Sequence, residues 1–334
     1  MATLILFRFV GIFAAYTGLT VLLPAIMFRR ILAGRRLSEQ FLMCYTFGNF
    51  YIINIVFAVQ LLHISGFWTL VLFTAVPGIL IWSRVNRVSL RELCMKTGIV
   101  CKKILQGSMG IKGFLYRVKN RSMAVLKKAV WLFYCEVVCN TLQWILAGAV
   151  IAALFWIYGR QLILTYGYRA SDIPVHLNWI NQMSRGNLFA SGVYPFGFHC
   201  IVYYLHAVFE FDTYVILCVF YLVQVFFIHI VLLAMLKLLC RSLYLPYAGI
   251  MVYILGSFWA RQTYSRFGSS LPQEFGMIFV IPSVYFLIRF FQTEKKNLKN
   301  RETKLILGCF ALAFSLTLAI HFYGTMIAGL CCIG

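Results

Sequence analysis

The chain has 334 residues, 62% of them hydrophobic and only 12% charged, and its mean hydropathy is +0.85. Soluble domains carry about a quarter charged residues, so this composition excludes a water-soluble globular fold and makes the bilayer the solvent. A formal charge of +21 would suggest nucleic acid on a soluble surface, but in a membrane chain basic residues first report orientation, and no nucleic-acid partner is expected.

In chain order, the apolar runs predict spans at about 2–27, 41–62, 67–82, 137–158, 213–236, 243–260, 275–291 and 305–320, with a ninth beginning near 323. Several reach the roughly 20 residues that cross a ~30 Å hydrocarbon core as a helix, and none shows the alternation of a barrel strand. The expected fold is all-α: a multispanning helical integral membrane protein with about eight or nine transmembrane helices. The first run continues to Met27 before Arg29 and Arg30, without the basic leader or cleavage site of a signal peptide, and reads as a retained span. The ninth stops at the chain end, so the membrane core is expected to be C-terminally incomplete.

The basic residues alternate between loops. The segments 28–40, 83–128, 237–242 and 292–304, with the adjoining Arg289, hold 24 of the 30 Lys and Arg, including all twelve lysines. Opposite them stand only Arg160, Arg169, Arg185, Arg261 and Arg266, with Arg8 in the first span. The positive-inside rule then makes the lysine-bearing loops cytoplasmic and puts the N-terminus and the 159–212 loop outside. Three parts are expected: a three-span unit at 1–82, a basic cytoplasmic loop at 83–128, and a membrane core at 129–334. The basic loop, with twelve cations and the single acid Glu92, is suited to anionic headgroups of the inner leaflet. Eleven cysteines without a CxxC pair read as small core residues.

Within the outer loop, Ser171 or Asp172 is placed to cap a helix with Pro174 in its first turn and Val175, Trp179 and Met183 at helical spacing. Asp172 and His176 then stand one turn apart. A carboxylate and an imidazole so placed could share a proton, bind a divalent cation or position a phosphate-bearing substrate; equally, Asp172 could simply cap the helix. A rigid aromatic turn from Ser191 to His199, containing Tyr194 and Pro195, follows. Residues 198–211 are apolar but close on Glu210 and Asp212, and are expected to lie as an amphipathic helix in the outer interface, the second of an interfacial pair. Three later features return to the same side: Arg261 with Arg266, whose charge and fork suit a phosphate; the Leu271-Pro272-Gln273-Glu274 turn; and His321 with Tyr323, which interrupts the last apolar stretch. Glu136, Asn140 and Gln143, at the opposite end, read as a helix-packing face.

An outer loop with Asp172, His176 four residues on, a Tyr194-Pro195-x-Gly197-x-His199 turn, and later Leu271-Pro272-Gln273 and His321, is similar to that of GT-C-type membrane glycosyltransferases and their bacterial relatives. The resemblance covers roughly residues 140–330. It implies a polyprenyl-phosphate-sugar donor, a glycan or lipid-linked acceptor of the cell envelope, and an extracytoplasmic active face of a bacterial cytoplasmic membrane. Asp172 would be the acid that deprotonates or orients the acceptor hydroxyl, with His176 and His199 shaping the pocket and Arg261 or Arg266 holding the lipid phosphate. Ser171 precedes Asp172 where several branches carry a second acid; any divalent cation would take Asp172 and His176. The competing classes are a transporter or flippase, which needs polar residues at mid-depth where Gln224 and His229 are the main ones, and a non-catalytic membrane subunit.

Overall fold

A computed structural model of the chain describes residues 2–107, 110–164, 167–190, 192, 194–293 and 300–333. Tyr166, Ser191, Val193 and residues 294–299 of the basic 292–304 loop lie outside them. Among the described residues the secondary structure is helical, with no strand.

Among the described residues, seven helices are long and apolar enough to cross a membrane: α1 (Thr3–Met27), α2 (Leu37–Leu61), α3 (Phe67–Asn86), α6 (Thr141–Leu164), α9 (Thr213–Leu239), α12 (Pro272–Gln292) and α13 (Arg301–Ile320). Between them lie α4 (Leu90–Leu105), α5 (Ile111–Cys139), α7 (Ile173–Ser184), α8 (Gly197–Phe209), α10 (Leu245–Trp259), α11 (Arg261–Phe267) and α14 (Phe322–Ile333). The expected spans at 243–260 and near 323 correspond to α10 and α14, of 15 and 12 residues. At 1.5 Å per residue α10 is only about 22 Å long. The described residues of the basic 83–128 segment are largely helical too, shared among the end of α3, α4 and the first part of α5.

Helices α2 and α9 form the centre. Apolar residues surround α9 on every side, as in a helix enclosed by protein or lipid throughout, and it is the most completely buried of the seven. Tyr45 of α2 stacks between Phe227 of α9 and Phe279 of α12, at 4.7 and 5.4 Å. Its hydroxyl lies 2.8 Å from that of Tyr16, which in turn donates to Asn49 Oδ1 at 2.9 Å. Buried hydroxyls in an apolar interior must find partners within the protein, and this triad supplies them while joining α1 to α2. Next to it α1 widens into a π turn at Gly18–Leu22, and Gly48 lets α2 press against that turn. A Cβ at position 48 would lie 2.3 Å from the Thr20 carbonyl oxygen.

Contacts sort the loops into two ends. At one, Arg35 bonds Glu39 and, through two nitrogens, Glu302, while Asn86 bonds the Met27 carbonyl and Lys237 reaches Gln143 and Tyr247. At the other, Gln60 donates to the Met183 carbonyl, Ser65 meets Tyr203, and Gln224 donates to the Leu271 carbonyl.

Helix α8 departs from the sequence expectation. Residues Gly197–Leu205 are all buried, so the helix is wedged into the bundle instead of lying on its surface. The reason is chemical: apart from His199 and two tyrosines this stretch has no polar face to offer water, and those tyrosines bond Ser65 and Thr74 of the protein. Gly197 makes the wedge possible, since a Cβ there would lie 2.7 Å from the Ala319 carbonyl oxygen of α13. Glu210, at φ 57°, ends α8, and the Asp212 carboxylate then caps α9 by accepting from Val215 N at 3.0 Å.

Candidate functional site

A cavity of about 220 Å³ opens where α7, the loop before α8, α11, the start of α12 and the α13–α14 corner converge. Asp172, His176 and Trp179 enter from α7, Tyr194 from the loop, Arg266 from α11, Leu271, Pro272 and Gln273 from the start of α12, and His321 from the corner.

Asp172 stands at the N-cap position of α7, yet its carboxylate makes no capping bond and, among the described residues, accepts only from Ser171 Oγ, at 3.1 Å. The expected cap is therefore absent, and an exposed carboxylate faces the cavity. One turn on, the periodicity that carries Val175 to the rim puts His176 beneath it, buried.

His176 Nδ1 lies 3.0 Å from His199 Nε2, and His199 Nδ1 is buried without a partner among the described residues. If His199 donates to His176, its orphan Nδ1 is a bare lone pair; if it accepts, the orphan is an N–H, the costlier group to bury. The first arrangement leaves His176 with an Nε2–H as a donor for the cavity. Burial lowers His176 to about 4, with Asp172 opposing and His321 assisting, and drives His199 well below the usual imidazole value. The pair is thus neutral at ordinary pH. His321 is also lowered, by burial and then by Arg266.

Arg266 is held in place from below. Its Nε donates to Glu274 Oε1 at 2.5 Å and its Nη2 to Gln273 Oε1 at 2.6 Å. A guanidinium has five N–H donors, so the remaining ones can meet an anion. Trp179 and Tyr194, with ring centroids 4.8 Å apart, form the aromatic wall, and Tyr194 also approaches His199 and His321 at 5.8 and 6.3 Å. Burial, and then the charge of Asp172, raises the Tyr194 phenol and keeps it protonated.

Of the residues singled out from sequence, Asp172, His176, Tyr194, Arg266, Gln273 and His321 line the cavity, and His199 and Glu274 support them from behind. Arg261 does not: it is exposed in the first turn of α11 and outside the lining. Tyr323 is likewise outside, exposed and stacked on His321 at 5.5 Å. The sequence marks Trp179 as an apolar helical position, and its spacing of three from His176 and seven from Asp172 puts it on their face. Among the described residues no group of three or more His, Cys, Asp or Glu side chains is placed to hold a metal ion. A cation at the cavity would therefore have Asp172 as a protein ligand, and would take His176 Nε2 only in the other tautomer, in which His176 Nδ1–H donates to His199, with the rest from substrate or water.

Behind Tyr194 lies a second, apolar groove of about 410 Å³, lined by Phe50, Ile53 and Phe57 of α2, Phe189 and Phe196, and Leu316 and Ala319 of α13. Tyr194 lines both spaces. No protein-family model, curated protein or solved structure matches the chain.

Proposed function

We propose that the chain is a multi-pass membrane glycosyltransferase that moves a sugar from a polyprenyl-phosphate donor to an envelope or surface-polysaccharide acceptor, on the extracytoplasmic face. One observation carries this reading: a polar cavity with a free carboxylate and an oriented guanidinium shares Tyr194 with an apolar groove. An amphiphile with an anionic, hydroxyl-rich head and a hydrocarbon chain fits that pair of spaces. Aromatic faces such as Trp179 and Tyr194 suit the apolar face of a sugar ring.

In the proposed reaction Asp172 accepts the proton of the acceptor hydroxyl as that oxygen attacks the anomeric carbon. The bond from the anomeric carbon to the phosphate oxygen breaks, and the electron pair leaves on the lipid phosphate, whose charge Arg266 stabilises. His176, neutral and donating, orients a sugar hydroxyl or phosphate oxygen.

Charge alternation supports the orientation. The end bearing Arg35, Glu302 and Lys237 would be cytoplasmic, and the cavity end outside. An eighth crossing would come from α10 with α11, which lead from Tyr247, bonded to Lys237, to Tyr264, bonded to the Ile157 carbonyl. Of the two mid-depth residues that a transporter would use, each has one polar atom bonded within the protein: Gln224 donates to the Leu271 carbonyl, and His229 Nδ1 meets the Val225 carbonyl, while Gln224 Oε1 and His229 Nε2 have no partner among the described residues.

The decisive experiment incubates membranes carrying the wild type, Asp172→Asn or Asp172→Ala with a polyprenyl-phosphate-linked radiolabelled sugar and envelope acceptor. Covalent product is expected from the wild type and from neither variant, at equal membrane insertion. Transfer retained by both variants overturns the assignment, as does accumulation of label in sealed vesicles without covalent product.

A further inference from the structure

At the end of the bundle remote from the cavity, the helical turn Arg29–Leu32, α2 and α13 enclose an apolar crevice of about 270 Å³. Phe47 and Cys44 of α2 and Gly308 and Cys309 of α13 form its walls, and among the described residues Lys304 is the one charged side chain in its lining. Lys304 is exposed in the first turn of α13. Arg29 and Arg30, on the turn that closes the crevice, and Arg301 are exposed as well. Among the described residues nearby, Glu39 and Glu302 are both bonded to Arg35, and the one negative charge that trio leaves over offsets only part of the four cations. The mouth therefore has a cationic surplus, while the interior is hydrocarbon.

We propose that this crevice binds one anionic phospholipid, with an acyl chain along Cys44, Phe47, Gly308 and Cys309 and its phosphate on Lys304. Both walls belong to helices long and apolar enough to cross a membrane, so the space adjoins lipid. Free phosphate would satisfy the lysine and leave the apolar volume unfilled. A zwitterionic headgroup would bring its own cation against Arg29, Arg30 and Arg301. An anionic lipid satisfies charge and volume together, and braces the same pair of helices that Arg35 and Glu302 clamp.

Gly308 provides a test that spares the fold, since a Cβ there meets no atom within 4 Å. Gly308→Leu would fill the crevice from an open position. Detergent-purified protein is titrated with phosphatidylglycerol, phosphatidylcholine or inorganic phosphate, with thermal unfolding and lipid retention by native mass spectrometry as readouts. Phosphatidylglycerol should raise the unfolding midpoint, and the other two should not. Gly308→Leu should retain one phosphatidylglycerol fewer than wild type, which separates this site from lipid held at the basic α4 and α5. Lys304→Gln should weaken that retention at least tenfold. Undiminished retention by Gly308→Leu, an equal response to phosphatidylcholine, or full stabilisation by phosphate alone would each overturn the site. Should Gly308→Leu fail to fold, Lys304→Gln decides, and unchanged phosphatidylglycerol retention by it refutes the proposal.

Discussion

His176 and His199 meet nitrogen to nitrogen at 3.0 Å in the wall of the cavity, both buried and both held neutral. An unfolded histidine takes up its proton near pH 6.5, whereas folded His176 does so only near pH 4. Between those values the unfolded state binds more protons, so stability must fall as pH drops through that window and level off below it. His176 alone contributes on the order of 3 kcal/mol to that fall, and His199 acts in the same direction. Unfolding midpoints measured from pH 7.5 to 4.5 should decline for the wild type and decline less for His176→Gln. Midpoints indifferent to pH over this range would contradict a buried neutral pair.

Gly48 and the π turn at Thr20 give a sharper stability test. A methyl group at position 48 meets three backbone atoms of Thr20 between 2.3 and 2.7 Å, and backbone cannot swing aside as a side chain can. Overpacking of this kind costs about 1–3 kcal/mol or more, and separation of the helices would also break the Tyr16, Tyr45 and Asn49 contacts. Gly48→Ala should lower the unfolding midpoint, whereas Gly148→Ala, where a Cβ meets nothing within 4 Å, should not. Equal behaviour of the two variants would refute the close approach.

Much of this architecture is legible in the sequence, for reasons that also mark where legibility stops. His321 interrupts an apolar run, and α13 ends at Ile320 with His321 in extended conformation. The polar islands at Asp172, Arg266 and Gln273 converge on one cavity because loops on one end of a bundle have few other places to go. The burial of α8 was not legible. Against water, hydrophobicity separates inside from outside, but lipid tails are as apolar as a protein core, so one kind of side chain serves both. Phe7 is 78% exposed and Phe220 fully buried, although both stand in apolar runs long enough to span. Arg261 and Arg266 were equivalent in the sequence for a related reason: only the turn of α11 decides which faces Glu274.

That turn makes Arg266 a candidate for kinetic dissection. Held by Glu274 and Gln273, its fork is oriented before any substrate arrives, which is how a charge acts on a leaving group without reorganising. Arg266→Ala should reduce kcat by roughly 10²–10³, the range for loss of one preorganised donor. Arg266→Lys should recover little, because an ammonium cannot bond Glu274 and Gln273 in the same fork. Arg261→Ala, outside the cavity, should leave steady-state transfer within about twofold of wild type, since it removes no contact to the proposed substrate. Equal losses from Arg261→Ala and Arg266→Ala would show that neither acts through the cavity.

Tyr194 separates the roles of a polar group and a partition. Its phenol stays protonated and lies near Asp172, so it can donate to a substrate oxygen; its ring also stands between the polar cavity and the apolar groove. Tyr194→Phe removes the donor and keeps the ring. Loss of one hydrogen bond to a charged oxygen corresponds to about 1.5–3 kcal/mol, or roughly 10- to 150-fold in kcat/KM. Tyr194→Ala removes the ring too and merges the two spaces, so it should lose more, with an added rise in KM for a long-chain donor. A short-chain donor that does not reach the groove should not show this extra rise. Comparing kcat and KM for both variants with long- and short-chain donors therefore tests the amphiphile reading directly. If chain length leaves the KM of Tyr194→Ala unchanged relative to Tyr194→Phe, the groove takes no part in donor binding.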